Sequence, residues 1–189
     1  MLILNLIRAF IAIDIDEKIV DSLVKFQEEL ASLDCDIKFV ERDNIHLTLK
    51  FLGELSLNKI NEICRLMDDI EFPPFTLEVK GIGVFPSLNR PRVVWAGVGE
   101  GYQNVVEIFK ILDSNLRKLN FKSEAEEFTP HITIGRFRSN RNMSVFVKFI
   151  KNYENTVFGQ FNVTCIRLKK SVLTPRGPIY SNLYEVKLV

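Results

Sequence analysis

A chain of 189 residues can bury a core of its own, and it suits one domain or two small lobes. Hydrophobic residues make up 47% of the sequence and charged residues 26%, which argues against a disordered or a membrane-embedded protein. The 25 basic and 24 acidic residues nearly balance to a net charge of +1, which argues against a strongly basic nucleic-acid coat.

Apolar periodicity predicts alternating strands and helices along the first half of the chain. Asp16 can cap the first helix and Ser56 the second, because each side chain can accept a hydrogen bond from the first helical turn. The predicted elements are a strand over 3–14, a helix over 17–33, a short strand over 37–40, a strand over 45–52, a helix after Ser56 with Ile60, Ile63, Met67 and Ile70 on one face, and a strand over 75–85.

The second half of the chain repeats this order in outline. Each half reads strand, helix, strand, helix, strand, and short repeats of this kind predict two similar lobes that face each other. The predicted elements are a strand over 93–98, a helix over 102–119, a solvated turn at 124–127, a strand in 128–137 that begins after Pro130, a helix over 141–152, and strands near 160–173 and 178–188 joined by the turn TPRGP.

The chain has only two histidines, and each opens a similar tetrapeptide: HLTL from His46 and HITI from His131. Side chains alternate between the faces of a strand, so each histidine shares a face with the threonine two places on. With seven threonines in the chain, both histidines would acquire that threonine by chance about once in several hundred sequences. Facing lobes would therefore bring two imidazoles and two hydroxyls into one cleft.

Two imidazoles that titrate near neutral pH can serve as a general acid and a general base. Threonine hydroxyls are neutral donors suited to phosphate oxygens. Acid, base and donors without a nucleophile suit in-line displacement at phosphorus, and a strained ribose cyclic phosphate needs just these parts. Purely structural histidines, a metal site and a Cys–His nucleophile pair are the alternatives. Catalytic zinc usually takes three protein ligands, however, and no cysteine lies near either tetrapeptide.

The cysteines and the N-terminus indicate the compartment. Cys35, Cys64 and Cys165 are odd in number, widely spaced and without a CxxC pattern, so each is expected to be a small core residue in a reducing compartment. The apolar start MLILNLIRAFIAIDID lacks a basic leader and is interrupted by Arg8, which favours a buried strand over a signal peptide. A cytoplasmic protein is expected.

Five segments carry a resemblance to a known family: RAFIAID, NIHLTLKFLGE, GVFPSLNRPRVVWAGV, FTPHITIGRF and SVLTPRGPIYSNLYEV. In order and spacing they resemble the two-histidine (HxTx) phosphoesterase superfamily, and within it the RNA 2′,3′-cyclic phosphodiesterases, also called 2′-5′ RNA ligases. The resemblance implies an α+β fold in which residues 1–189 form a single bilobal domain. Two pseudo-symmetric antiparallel sheets would face a central cleft with helices outside, one HxTx motif per lobe. It implies no metal and no cofactor.

The resemblance also implies roles for individual residues. His46 would be the proton donor to the leaving 3′-oxygen, and His131 the proton acceptor that activates water. The phosphate oxygens would be held by Thr48, Thr133 and Arg136. Simple alternation gives Arg136 the orientation of a core residue, so a bulge or bend near Gly135 is needed to turn it.

The expected function is hydrolysis of RNA 2′,3′-cyclic phosphate ends to 2′-phosphomonoesters. The alternatives are 2′-5′ RNA ligation by the reverse-type reaction and a non-catalytic RNA-end binding protein. The expected partner is RNA with a cyclic phosphate end, tRNA fragments included, with no membrane and a monomeric chain. Phe10 and Tyr180 could stack a base, although packing is the simpler interpretation for both, as it is for Trp95.

Overall fold

The computed structural model describes residues 6–123, 128–175 and 177–189 of the chain. Within these ranges nine strands and four α-helices are present. The strands are β1 (Ile7–Asp14), β2 (Ile37–Phe39), β3 (His46–Leu55), β4 (Phe75–Phe85), β5 (Val93–Val98), β6 (Ile132–Phe137), β7 (Val157–Val163), β8 (Cys165–Thr174) and β9 (Gly177–Lys187). The helices are α1 (Glu17–Ala31), α2 (Leu57–Asp68), α3 (Tyr102–Arg117) and α4 (Met143–Ile150).

The described strands form one antiparallel sheet in the order β7-β4-β5-β6-β3-β1-β8-β9, with β2 also paired to β6. The sheet has two halves that meet where β6 and β3 lie side by side at its centre. These two central strands are the ones that carry or directly follow the histidines. The predicted α+β class and antiparallel sheets are confirmed, and the two expected sheets are joined edge to edge.

The join between the halves is narrow. Leu47 of β3 pairs with Ile132 of β6, and beyond this point β2 takes over the same edge of β6 along Gly135–Phe137. The two halves therefore diverge after one residue pair, and the divergence opens a cleft along the centre of the curled sheet.

The two sequence repeats exchange a strand. The last strand of the first repeat, β4, pairs with β5 of the second repeat, whereas β8 near the C-terminus pairs with β1. Each half of the sheet is consequently built from both halves of the sequence. The buried apolar residues of both halves form one continuous core.

The helices follow the predicted stripes and caps. Asp16 accepts a hydrogen bond from the backbone N–H of Lys18 (2.9 Å), and Ser56 accepts one from Lys59 (3.4 Å). The apolar face predicted for α2 is buried, and so are the apolar faces of α1 and α3. The fully buried residues on these helices include Leu23, Leu30, Ile63, Met67, Leu112 and Leu116. Among the described helices, none has the length and apolarity needed to cross a membrane.

Several predicted boundaries were wrong. The strand predicted over 160–173 is two strands, because the chain leaves the sheet edge after Val163 and re-enters beside β1. The strand predicted in 128–137 was expected to begin after Pro130, and it begins at Ile132, because Pro130 has no N–H to donate. The helix predicted over 141–152 ends at Ile150 and continues as a 3-10 turn. The predicted turn at 124–127, residues 3–5 of the first strand and Arg176 of TPRGP lie outside the described residues.

A buried ion pair ties β3 to α3. The Nζ of Lys50 lies 3.2 Å from a carboxylate oxygen of Asp113 and donates to the carbonyl of Lys122 at 2.8 Å. The other carboxylate oxygen of Asp113 accepts a hydrogen bond from Ser123 (2.5 Å). Lys50 and Asp113 are 3% and 4% exposed, so water cannot replace these partners. The pair thus holds the chain at 122–123 against the back of the first motif strand.

We expect removal of either charge to destabilise the fold. Asp113→Leu should lower the free energy of unfolding by about 3–5 kcal/mol, because it removes one partner of a buried ion pair. The double variant K50M/D113L should be more stable than either single variant, K50M or D113L, since it removes both charges of the pair together. Urea denaturation of the wild-type protein, K50M, D113L and K50M/D113L measures these free energies of unfolding, and additive losses in the double variant would contradict the coupling.

Candidate active site

Both HxTx motifs adopt the alternation that the sequence predicts. His46 and Thr48 are partly exposed on one face of β3, whereas Leu47 and Leu49 are 0% and 2% exposed on the other. In the second motif His131 and Thr133 are likewise partly exposed, and Ile132 and Ile134 are fully buried. The apolar positions anchor each strand in the core, so the imidazole and hydroxyl are presented to the cleft by rigid backbone.

The cleft contains two cavities of about 220 Å³ each that share part of their walls. Both are lined by Thr48, Phe51, Thr133 and Arg136. One cavity also contacts His46, and the other contacts His131. The structure thus brings all five predicted site residues together, with the threonines and the arginine lying between the two imidazoles.

Each imidazole is held by the same backbone contact. Nδ1 of His46 lies 2.7 Å from the carbonyl oxygen of Asn44, and Nδ1 of His131 lies 2.7 Å from that of Thr129. A carbonyl can only accept, so each Nδ1 carries a hydrogen and Nε2 is the site of proton exchange. Nε2 of His46 lies 2.9 Å from the hydroxyl of Thr48, which donates to it in the neutral ring.

Burial favours the neutral form of both rings. It lowers the pKa of His46 to about 4, and the Lys169 ammonium adds to this, whereas the Asn44 carbonyl and the Asp14 carboxylate oppose it. Burial also lowers the pKa of His131, where the Thr129 carbonyl opposes the shift and the Arg136 charge adds to it. In the unliganded protein at neutral pH, both Nε2 atoms are therefore lone-pair acceptors, ready to take a proton.

A bulge turns Arg136 towards the cleft, as the sequence required. Trp95 pairs with Thr133 and Val94 with Gly135, so Ile134 is an extra residue without a partner on β5. The extra residue resets the alternation and brings Arg136 to the face of Thr133. Gly135 is needed here, because a Cβ would lie 2.6 Å from the Ile37 side chain across the β2 pairing.

The first motif contains the equivalent bulge. Ala12 pairs with Thr48 and Ile11 with Lys50, so Leu49 is the extra residue. Phe51 is then turned to the cleft in the way that Arg136 is, and its side chain is 64% exposed. At equivalent places, the two motif strands present an aromatic ring and a guanidinium group.

Aromatic side chains flank each imidazole. His46 contacts Phe10 (ring centroids 4.9 Å) and lies edge-on to Tyr180 (5.4 Å). His131 lies edge-on to Phe85 (5.0 Å), with Trp95 behind it at 6.3 Å. These rings exclude water and fix the imidazole planes. Packing, the simpler interpretation for Phe10, fits its 2% exposure.

The model of the LigT-like phosphoesterases matches the chain twice, over residues 13–95 and 98–180. The two matches begin 85 residues apart, and so do His46 and His131, so each histidine holds the same place in its match. The chain belongs to the LigT-like phosphoesterase family. The resemblance stated from the sequence is thereby confirmed, and the internal repeat is that of the family itself.

Individual relatives agree with the family match. An RNA 2′,3′-cyclic phosphodiesterase of Methanocaldococcus jannaschii is 43% identical over 178 residues, which is 94% of this chain and 99% of the relative. One of Aeropyrum pernix is 39% identical, covering 89% of this chain and 96% of the relative. The crystal structure of Escherichia coli LigT complexed with 3′-AMP superimposes with a TM-score of 0.78 at 27% identity, covering 97% and 99% of the two chains.

Sequence reasoning missed some of the residues that shape this LigT-like site. Phe51 was overlooked because only the bulge at Leu49 turns it to the cleft. A bulge had been expected in the second motif, where it turns Arg136, and the same reasoning applied to the first motif would have found Phe51. Asn44 and Thr129 act through backbone carbonyls, which no residue type reveals. Among the cysteines expected in the core, only Cys35 is buried, whereas Cys64 and Cys165 are partly exposed.

We expect the imidazole of His46 to titrate with a midpoint near 4 in the free protein, because burial disfavours its charged form. Proton and nitrogen NMR of the two histidines, assigned with His46→Gln and His131→Gln, measures this and the Nδ1–H tautomer. The unfolded pKa is about 6.5. The contribution of His46 to stability is therefore complete above that pH and is lost as the pH falls towards 4. A midpoint at or above 6.5 would contradict the burial argument.

Proposed function

We propose that this chain hydrolyses RNA 2′,3′-cyclic phosphate ends to 2′-phosphomonoesters by metal-independent acid–base catalysis. The observation that carries the proposal is the pair of imidazoles, each with Nδ1 fixed on a backbone carbonyl, on either side of a cleft floored by two threonines and an arginine. The names of its relatives in Methanocaldococcus and Aeropyrum support the same substrate.

In the proposed reaction, water attacks phosphorus opposite the 3′-oxygen. Nε2 of His131 accepts the proton of the attacking water, and the P–O3′ bond breaks as the new P–O bond forms. Nε2 of His46 gives its proton to the departing 3′-oxygen, which leaves as a hydroxyl. The products are a 2′-phosphate, a neutral His46 and a protonated His131, and proton exchange with solvent restores the starting state.

The lowered pKa values suit the base directly and the acid only after substrate binds. His131 must be neutral to accept a proton, and its lowered pKa keeps it so at neutral pH. His46 must carry a proton on Nε2, which a pKa of about 4 disfavours in the free protein. A bound phosphodiester anion beside Nε2 favours the imidazolium, so the substrate itself raises this pKa.

Thr48, Thr133 and Arg136 would hold the non-bridging phosphate oxygens. Negative charge grows on these oxygens in the transition state, and preorganised donors stabilise it without further reorganisation. In the free protein the Thr48 hydroxyl is bound to Nε2 of His46. Protonation of Nε2 removes that acceptor and frees the Thr48 hydroxyl to donate to phosphate, which couples substrate binding to charging of the acid.

Two alternative activities would use the same cleft. A 2′-5′ RNA ligase would run the reaction in reverse with the acid and base exchanged, and an RNA-end binding protein would use the donors alone.

We further propose that the chain acts as a monomer in the cytoplasm, as one bilobal unit with one HxTx motif per lobe, on RNA fragments that include those of tRNA. The free cysteines fit a reducing compartment.

The purified protein should convert an RNA ending in a 2′,3′-cyclic phosphate into a 2′-phosphate with a free 3′-hydroxyl, and EDTA should not slow it. Chromatography against 2′- and 3′-phosphate standards identifies the product. A predominant 3′-phosphate would reverse the acid and base assignments. Loss of activity in EDTA with recovery in zinc or manganese would refute the metal-independent scheme, and binding without turnover would favour the RNA-end binder.

His46→Ala and His131→Ala should each reduce kcat/KM by about 10²–10⁴-fold, and the double variant by less than the product, because the two groups act as a unit. The rate should depend on pH with a bell shape. A substrate with sulfur in place of the 3′-oxygen should partly restore His46→Ala but not His131→Ala, since thiolate leaves without an acid. Full activity of either single variant would remove that histidine from the mechanism.

A further inference from the structure

The buried polar side chains of the described chain are Gln27, Lys50 and Asp113. All three lie at the buried faces of the two motif strands, just past the threonines. Lys50 belongs to β3 and pairs with Asp113, and Gln27 binds the backbone of β6. Burying a polar group costs free energy unless it is hydrogen-bonded, and an apolar residue of similar size would pack as well. Their common location therefore calls for an explanation other than packing.

Gln27 of α1 binds the bulge of the second motif. Its side-chain amide donates to the carbonyl of Ile134 at 3.0 Å and to the carbonyl of Val40 at 2.9 Å. The backbone N–H of Val40 also donates to the carbonyl of Ile134 at 2.9 Å. Ile134 is the extra residue of the bulge, and its carbonyl is held by Gln27 and Val40 on the β2 side of β6.

The Lys50–Asp113 pair stands in the equivalent position on the first motif strand. Lys50 follows the bulged residue Leu49, as Gly135 follows Ile134. Asp113 belongs to α3, the helix that α1 matches in the repeat. The bracing is therefore crosswise: α1 of the first repeat supports the second motif, and α3 of the second repeat supports the first.

We propose that Gln27 is a positioning residue that holds the bulge at Ile134 and thereby keeps Arg136 in the cleft. The guanidinium of Arg136 depends on this bulge, because regular alternation would turn it into the core. Without the amide, the strand can relax towards regular pairing and Arg136 loses its place beside Thr133. The proposal rests on the proposed role of Arg136 in binding phosphate.

The test introduces Gln27→Met, which keeps the side-chain volume and removes the amide, into the wild-type protein and into R136A, and compares its effect in the two. Inorganic phosphate is the probe, and its Kd is measured by calorimetry for the wild-type protein, Q27M, R136A and the double variant. R136A should weaken phosphate binding about 10- to 100-fold, as loss of a charge-assisted hydrogen bond does. Q27M should weaken it about fivefold or more, but by less than about twofold when R136A is already present.

Val20→Ala is the matched control, because Val20 is a 6% exposed apolar residue two turns away on the same helix. It should lower the Tm and leave the phosphate Kd unchanged. Equal losses caused by Q27M with and without Arg136, or a lower Tm with an unchanged Kd, would overturn the proposal. The phosphate assay needs no turnover. A wild-type protein that binds phosphate yet leaves the cyclic ester intact would therefore count against the proposed function and not against Gln27.

Discussion

The pairing of Leu47 with Ile132 is the contact on which the site depends. It joins the strands that carry the two motifs, and it lies between the histidine and the threonine of each motif. Because it is a single residue pair, the strands can diverge immediately beyond it and leave a cleft. Because both residues are fully buried, packing in the core fixes the positions of the two imidazoles relative to each other along the neighbouring strands.

The two halves of the site have like histidines and unlike side chains beyond the bulge. Both imidazoles bind a carbonyl two residues upstream, and both strands bulge one residue past the threonine. The equivalent positions after the bulge then hold Phe51 and Arg136. Both residues line the two cavities, so the cleft offers an aromatic ring as well as a cation to a ligand. The repeat places a like imidazole in each half of the site, and the residues after the two bulges make the halves different.

The spacing of apolar residues and the helix-capping residues predicted most of the helices and strands. Asp16 and Ser56 mark two helix starts, and the apolar stripes locate the buried faces. His46, Thr48, His131 and Thr133 could be named in advance because side chains alternate between the two faces of a strand. Arg136, which alternation turns towards the core, was named only from the family resemblance. Phe51, Gln27 and the carbonyls of Asn44 and Thr129 could not be found this way. They depend on a bulge, on a contact 107 residues apart in sequence, and on backbone groups common to every residue.

The exchange of strands between the repeats also determines when the sheet can finish pairing during synthesis on the ribosome. Residues Ala9–Ala12 of β1 pair on one side with Arg167–Lys170, so this edge of the first strand stays unpaired until β8 has been made. Closing such distant contacts is slow, because the entropy of the intervening loop is lost before the pairing is gained. Neither repeat contains all the strands of one half of the sheet, and a nascent chain acquires the surroundings of His46, which include Tyr180, only once β9 has been made.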